Sequence, residues 1–322
     1  MFTMGNVLIS TSSFGKYDKT PLEKLAKTNY KTILNPYGRQ MSEGEIKELL
    51  NGVDALVAGT EPLTSDVILS AKSLKVISRC GVGIDNVDIE AVKERDIKLY
   101  RTPQGPSLAV AELTLGLILD SLRYISCLNR KIRSGGWEKK MGRLFTGKTV
   151  GIVGMGSIGK RLALLLKPFN CRILARDHEP DNGFAKENKV EYVGLDELLR
   201  DSDIVTLHLS LDNDTKGLFS MKLFSQMKDE SVFINTSRGM IVDEDALYEV
   251  LKNGKIGYAC LDVYGNEPYK GRLKELENIT LTCHVGSYAR EARVEMEMQA
   301  VENLLKGLEC FNNDTEALRK NP

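Results

Sequence analysis

Three side chains able to grip an anion or move a proton stand just after short apolar runs in the second half of the chain. Arg238 follows SVFIN within NTSRG, Glu267 follows GYACLDVY within GNEP, and His284 closes the run ITLTCH, with Gly286 just beyond it. An arginine can hold a carboxylate and a carbonyl through two parallel hydrogen bonds. An imidazolium can give a proton to a carbonyl oxygen as hydride reaches the carbon, and a carboxylate beside the ring can fix its tautomer and favour its charged form. Together these groups suit the reduction of a 2-keto acid. Each also has an ordinary reading alone: Arg238 in a surface ion pair, Glu267 as a turn acid before Pro268, His284 as a capped core side chain. A second constellation tips the balance toward chemistry.

Gly154-Met155-Gly156-Ser157-Ile158-Gly159 is a GxGxxG entered from the apolar run TVGIV and followed by the helix-like KRLALLL. In that setting Gly154 permits a tight turn, Gly156 lets a pyrophosphate approach the backbone, and Gly159 allows close packing of helix on strand. Free amides at the helix start then bind phosphate. The next apolar run, RILAR, ends at Asp177, 18 residues past Gly159. A carboxylate there accepts hydrogen bonds from both ribose hydroxyls of NAD and repels the 2′-phosphate of NADP. Arg176 and His178 flank it.

These residues need a scaffold, and the rest of the pattern supplies one. VLIS (7–10), TILN (32–35), ALVAG (55–59) and KVISR (75–79) read as strands separated by helix-period segments. TVGIVG (149–154), RILAR (172–176), DIVTLHL (203–209), SVFIN (231–235), GYACLDV (257–263) and ITLTCH (279–284) form a second series of six. Strands alternating with helices give parallel sheets covered on both faces. The expected fold is α/β, two doubly wound parallel-sheet domains with a Rossmann NAD-binding domain inserted into a flavodoxin-like substrate domain. The expected limits are 1–102 for the substrate domain, 103–286 for the NAD-binding domain, and 287–322 for a C-terminal helix returning to the substrate domain. Chemistry in such sheets gathers at the carboxyl ends of the strands.

Composition excludes several other classes. Lys+Arg and Asp+Glu both number 44, so no net charge draws the chain to nucleic acid or to an anionic membrane. The six cysteines (Cys80, Cys127, Cys171, Cys260, Cys283, Cys310) form no CxxC pair and no metal-ligand spacing. Buried free thiols, an N-terminus without a targeting pattern, and an apolar run (LAVAELTLGLIL) too short for a bilayer point to the cytoplasm.

Over nearly its whole length the chain resembles the D-isomer specific 2-hydroxyacid dehydrogenase family. The likeness rests on SRCGVGIDNVD (78–88), AVAELTLGLIL (109–119), GKTVGIVGMGSIGK (147–160), NTSRGMIVDEDAL (235–247), LDVYGNEP (261–268) and CHVGS (283–287). It implies an NAD-dependent enzyme whose catalytic triad is Arg238, Glu267 and His284. It implies that the amides of Ser157 and Ile158 bind pyrophosphate, that Thr236 and Ser237 contact the cofactor, and that Asp262 contacts the nicotinamide amide. The loop Gly81-Val82-Gly83 is implied to hold the substrate carboxylate by its backbone, so that the site closes between the two domains. A homodimer follows too, through an arm from Ala109 to Gly147 with Trp137 as its buried anchor.

Motif wording stands nearest to D-3-phosphoglycerate dehydrogenases. Pro106, Ser210 and Glu61 depart from that pattern: Pro106 replaces an asparagine, Ser210 a proline, and the loop GTEPL (59–63) carries Glu61 where an arginine would meet a phosphate. Arg79 is the remaining basic candidate for that contact. The regulatory domain of longer members is not expected. Alternative readings are a hydroxypyruvate or glyoxylate reductase and a non-catalytic, NAD(H)-binding protein like the corepressors built on this fold.

Overall fold

A computed structural model describes residues 5–320 of the chain. Elements run β1 (Asn6–Ile9), α1 (Thr20–Ala26), β2 (Lys31–Leu34), α2 (Glu43–Leu49), β3 (Ala55–Ala58), α3 (Ser65–Ser70), β4 (Val76–Arg79), α4 (Ile89–Glu94) and β5 (Lys98–Arg101). Then come α5 (Gln104–Arg123), α6 (Ile125–Arg133), β6 (Thr149–Val153), α7 (Ser157–Leu166), β7 (Arg172–Arg176), α8 (Asn182–Asn188), β8 (Val190–Tyr192) and α9 (Leu195–Asp201). The chain continues through β9 (Ile204–Leu207), α10 (Met221–Gln226), β10 (Ser231–Asn235), α11 (Glu244–Lys252), β11 (Ile256–Leu261), β12 (Ile279–Leu281) and α12 (Arg290–Lys320).

The chain divides into two compact units. Met1–Pro106 with Tyr288–Pro322 form the first, and Ser107–Ser287 the second. The first boundary lies four residues beyond the expected one, for a local reason. Thr102 N–H donates to Gly81 O at 3.0 Å, and a Cβ on Gly105 would stand 2.7 Å from the Ala292 carbonyl oxygen, so 102–105 pack with the first unit.

In the first unit the sheet order is β2-β1-β3-β4-β5, all parallel. Winding reverses between β1 and β3, so their carboxyl ends flank the crevice where such sheets bind ligands. Capping fixes where helices start. Ser42 and Glu45 form a reciprocal capping box on α2, and Asp88 accepts from Ala91 N–H at the start of α4. One sheet face packs on Ile46, Leu50, Val67, Ile68, Ala91 and Val92. The other is closed by α12, whose Met296, Ala300, Val301, Leu304 and Leu308 meet Val7, Ile9, Val57 and Val76. Each buried Val, Leu, Ile or Met among them contributes about 1.5–3 kcal/mol by leaving water.

The second unit orders its strands β12-β11-β10-β9-β6-β7-β8, again parallel. The reversal falls between β6 and β9. Strand β10 shows why these segments read as unbroken apolar runs: Val232 and Ile234 enter one core while Phe233 enters the other. Helix α5 runs 20 residues, longer than the apolar run suggests, and is long and apolar enough to cross a membrane by length and composition. It is mostly buried, with Ala111, Leu117, Ile118 and Leu122 in the core of this unit.

Two expectations are corrected. The second sheet has seven strands, because Val190–Tyr192 adds an edge strand; Lys98–Arg101 likewise adds an edge to the first sheet. Strand β12 ends at Leu281, so His284 lies in the loop beyond it, with a left-handed backbone (φ 55°). Trp137, expected as the anchor of a dimer arm, is 86% exposed in the single chain.

Candidate active site

Arg238, Glu267 and His284 all belong to the second unit and follow the carboxyl ends of β10, β11 and β12. His284 Nδ1 lies 2.8 Å from Glu267 Oε2. A carboxylate facing Nδ1 places the proton on that nitrogen and leaves Nε2 as the one that can reach a substrate. The carboxylate's other oxygen accepts from Tyr264 N–H at 3.1 Å. Burial pushes the Glu267 carboxyl up, but the hydrogen bond and charge of His284, the Tyr264 N–H and the charge of Arg238 outweigh it and hold it below its ordinary value. Glu267 is therefore ionised at neutral pH. Its lowered proton affinity makes its contribution to stability fully present above the ordinary carboxylate range, to be lost as pH falls below that range.

The other two histidines do not compete for the acid's role. His178 is exposed on the loop after β7. His208 keeps some exposure as a residue, but its Nδ1 is buried, its Nε2 sits 3.1 Å from Thr206 Oγ1, and burial lowers it to about 3. That ring carries no extra proton to give at neutral pH.

Two buried networks set the positions of these groups. Asn235 Oδ1 accepts from Ser237 N–H at 3.0 Å and from the Ser237 hydroxyl at 2.8 Å, while its Nδ2 donates to Arg238 O at 2.9 Å. Arg238 Nη1 donates to Ser237 O at 2.7 Å, and Thr236 Oγ1 lies 3.1 Å from Thr114 Oγ1. Thr236 and Ser237, expected at the cofactor, also brace the arginine turn through these bonds. Asp262 is wholly buried. Its carboxylate accepts from the Thr282 hydroxyl at 2.6 Å, Val285 N–H at 2.8 Å and Gly286 N–H at 2.8 Å, and its main-chain oxygen takes His284 N–H at 2.8 Å. The acid expected at the nicotinamide amide therefore shapes the loop that carries the histidine. Tyr264, Thr282 and Thr114 are the participants that motif spacing does not reveal, since they act through hydroxyls and backbone.

The glycine loop fits a dinucleotide. Gly154 has φ 99°, and a Cβ there would fall 2.4 Å from His208 O. A Cβ on Gly159 would fall 2.2 Å from Gly154 O, so strand and helix touch backbone to backbone. At Gly156 the same probe meets nothing within 4 Å, which leaves open space beside the amides of Ser157 and Ile158 at the first turn of α7. Asp177 follows β7 and faces this loop: its Oδ2 accepts from Met155 N–H at 2.6 Å and its Oδ1 from Glu179 N–H at 3.0 Å. Arg176 Nη1 bonds to Asp177 O. A carboxylate has about four acceptor positions, so two donors leave room for ribose hydroxyls.

In the first unit, Gly81-Val82-Gly83 follows β4. Gly81 N–H donates to Thr102 Oγ1 at 2.7 Å, so the amides of Val82 and Gly83 are the ones left for an anion. Arg79 is only 8% exposed and its Nη1 donates to Cys80 O at 2.5 Å. Glu61 is 1% exposed; its carboxylate takes the Ser10 hydroxyl and Gly59 N–H (2.9 and 3.1 Å to its two oxygens).

Residues 115–286 match the family described as D-isomer specific 2-hydroxyacid dehydrogenase, NAD binding domain. The chain is 35% identical to the hydroxypyruvate reductase of Thermotoga maritima over 286 residues, covering 86% of this chain and 92% of that protein. It is 37% identical to the D-3-phosphoglycerate dehydrogenase of Archaeoglobus fulgidus, covering 84% of this chain but only 53%, about half, of that protein's length. The crystal structure of TT0316 protein from Thermus thermophilus superposes with a TM-score of 0.87 at 33% identity, covering 94% of this chain and 97% of that one.

Two measurements test this geometry. Asp177→Ser should move the ratio of kcat/KM for the two cofactors toward NADP, because ribose bonds and repulsion of the 2′-phosphate are lost together. An unmoved ratio would make Asp177 a loop-shaping acid only. Glu267→Gln should lower kcat for ketone reduction with NADH affinity nearly intact, because an amide holds the ring in one tautomer less well than a carboxylate. An unchanged kcat would show that the 2.8 Å contact does not orient the proton donor.

Proposed function

The chain belongs to the D-isomer specific 2-hydroxyacid dehydrogenase family, NAD-dependent oxidoreductases acting on CH–OH groups, and on that premise we propose that its substrate is a short 2-keto acid without a phosphate, hydroxypyruvate first. The bound nicotinamide supplies the hydride that reaches the carbonyl carbon, or accepts it in the reverse direction. Arg238 holds the substrate carboxylate and carbonyl through its guanidinium. His284 Nε2 gives a proton to the carbonyl oxygen as negative charge builds there, so carbonyl, hydride and proton become CH–OH. Glu267 keeps the ring oriented.

The observation that carries the choice of substrate is Glu61. A loop that would need a cation for a phosphate holds instead a buried carboxylate satisfied by Ser10 and Gly59. A second anion brought to it meets like charge in a poorly solvated place. Arg79, the basic alternative, is buried and turned onto Cys80 O. The second reading, a phosphorylated 3-carbon keto acid, draws on the GVGIDNVD wording and on the phosphoglycerate dehydrogenase relative. With saturating NADH, kcat/KM for hydroxypyruvate should exceed that for its 3-phosphate by an order of magnitude or more, about 1.4 kcal/mol per factor of ten. A preference for the phosphate would overturn the first reading.

The working form is read as a cytoplasmic homodimer. Helix α6 buries none of its residues in the single chain, and Ile125, Ile132, Trp137, Met141 and Leu144 are all more than half exposed within the expected arm. An apolar stretch of that extent is costly to leave in water and suits a second copy. Wild type should scatter light as a dimer at micromolar concentration and Trp137→Glu as a monomer; a monomeric wild type would remove the proposal.

A further inference from the structure

Tyr264 touches the segments that carry all three reacting groups. Its peptide lies against Gly239, the residue after Arg238: a Cβ at 239 would fall 1.8 Å from the Tyr264 carbonyl carbon and 2.1 Å from its oxygen. Its N–H donates to Glu267 Oε1 at 3.1 Å. Its hydroxyl lies 2.7 Å from Thr282 O, two residues before His284, and 3.2 Å from Leu261 O. A phenol has one proton, and the shorter contact to Thr282 takes it. The ring is buried and stacked on Tyr269 at 4.4 Å between centroids and 24° between planes, which fixes where the hydroxyl points. Burial, with Asp262 and Glu267 nearby, pushes the phenol further above its ordinary value, so it remains a donor at every working pH.

We propose that Tyr264 is the shared positioning residue of this site, its backbone fixing the Arg238 turn and the Glu267 carboxylate, and its hydroxyl fixing the peptide that leads into His284. The inference rests on the reading of Arg238, Glu267 and His284 as the reacting groups. The side chain itself touches no reacting atom. It acts by removing slack, since reacting groups displaced by even an ångström lose large factors in rate.

Tyr264→Phe keeps ring and backbone and deletes only the hydroxyl. The readout is the single-turnover rate of NADH oxidation with hydroxypyruvate, or with its 3-phosphate if that is the better substrate, so that product release cannot mask the chemical step. The rate should fall roughly 5- to 30-fold, with the melting temperature and the NADH dissociation constant unchanged. Gly239→Ala, which must push the Tyr264 peptide away, should lower the rate at least as far; Tyr264→Phe carries the decision should that variant fail to fold. A Tyr264→Phe enzyme at the wild-type rate, or one whose rate loss is matched by lost NADH affinity, overturns the proposal. His284→Asn separates the two levels, with an expected loss of about 10²–10⁴ in rate. A near-normal His284→Asn rate defeats the reading of the reacting groups, whereas an inactive His284→Asn beside an unaffected Tyr264→Phe defeats only the role of Tyr264.

Discussion

A carboxylate without solvent exposure must find its hydrogen-bond donors inside the protein, because an ion that fails to do so is too costly to bury. Asp262 finds them in the chain 20 to 24 residues further on, at Thr282, Val285 and Gly286. Satisfying that one charge reverses the loop after β12 and places His284 in a left-handed conformation that side chains adopt only when the surroundings dictate it. The same residue donates its own N–H to Asn235 O at 3.0 Å, and Asn235 in turn holds the Arg238 turn. Cation and imidazole thus share a foundation that never touches either side chain.

The acids of the molecule divide by burial and by what answers them. Asp262 is met by backbone and hydroxyl donors and serves as architecture. Glu267, partly exposed, is met by a ring that can change its charge, and so can take part in proton traffic. Glu61 is buried without a cation beside it among its hydrogen-bond partners, and its effect is on what can approach. Residue type alone does not separate these roles; the donor set does.

Most of the fold is legible in the sequence, because strands buried on both faces are apolar through their centres, as VFI within SVFIN and the whole of ALVA are. The two strands that escape, KLYR and VEY, are sheet edges, half in water, where polar residues are tolerated and no apolar run forms. The catalytic side chains are legible by the same logic, since chemistry collects after strand ends. What surrounds them is not. Tyr264 works through an amide, a carbonyl packed on glycine and one hydroxyl, and a tyrosine in an apolar run looks like core. Asp262 and Gly81 carry the residue types expected of ligand contacts, and their polar groups also bond inside the chain, to Thr282 and Thr102. Only the folded hydrogen-bond account distinguishes a donor kept for a ligand from one already used.

The path of the chain has a consequence for how the protein is made. The second unit is continuous, whereas the first is assembled from residues before it and a helix translated after it. Val7, Ile9, Val57 and Val76 form an apolar sheet face whose cover, Met296 to Leu308, is more than 200 residues away in sequence. During synthesis the later unit can finish folding while the earlier sheet still waits on the ribosome with that face bare. Such a surface is sticky and its closing contact is long-range, hence slow. The order of completion is thereby the reverse of the order of synthesis, and a helix that emerges only after the second unit is the one that covers the first sheet.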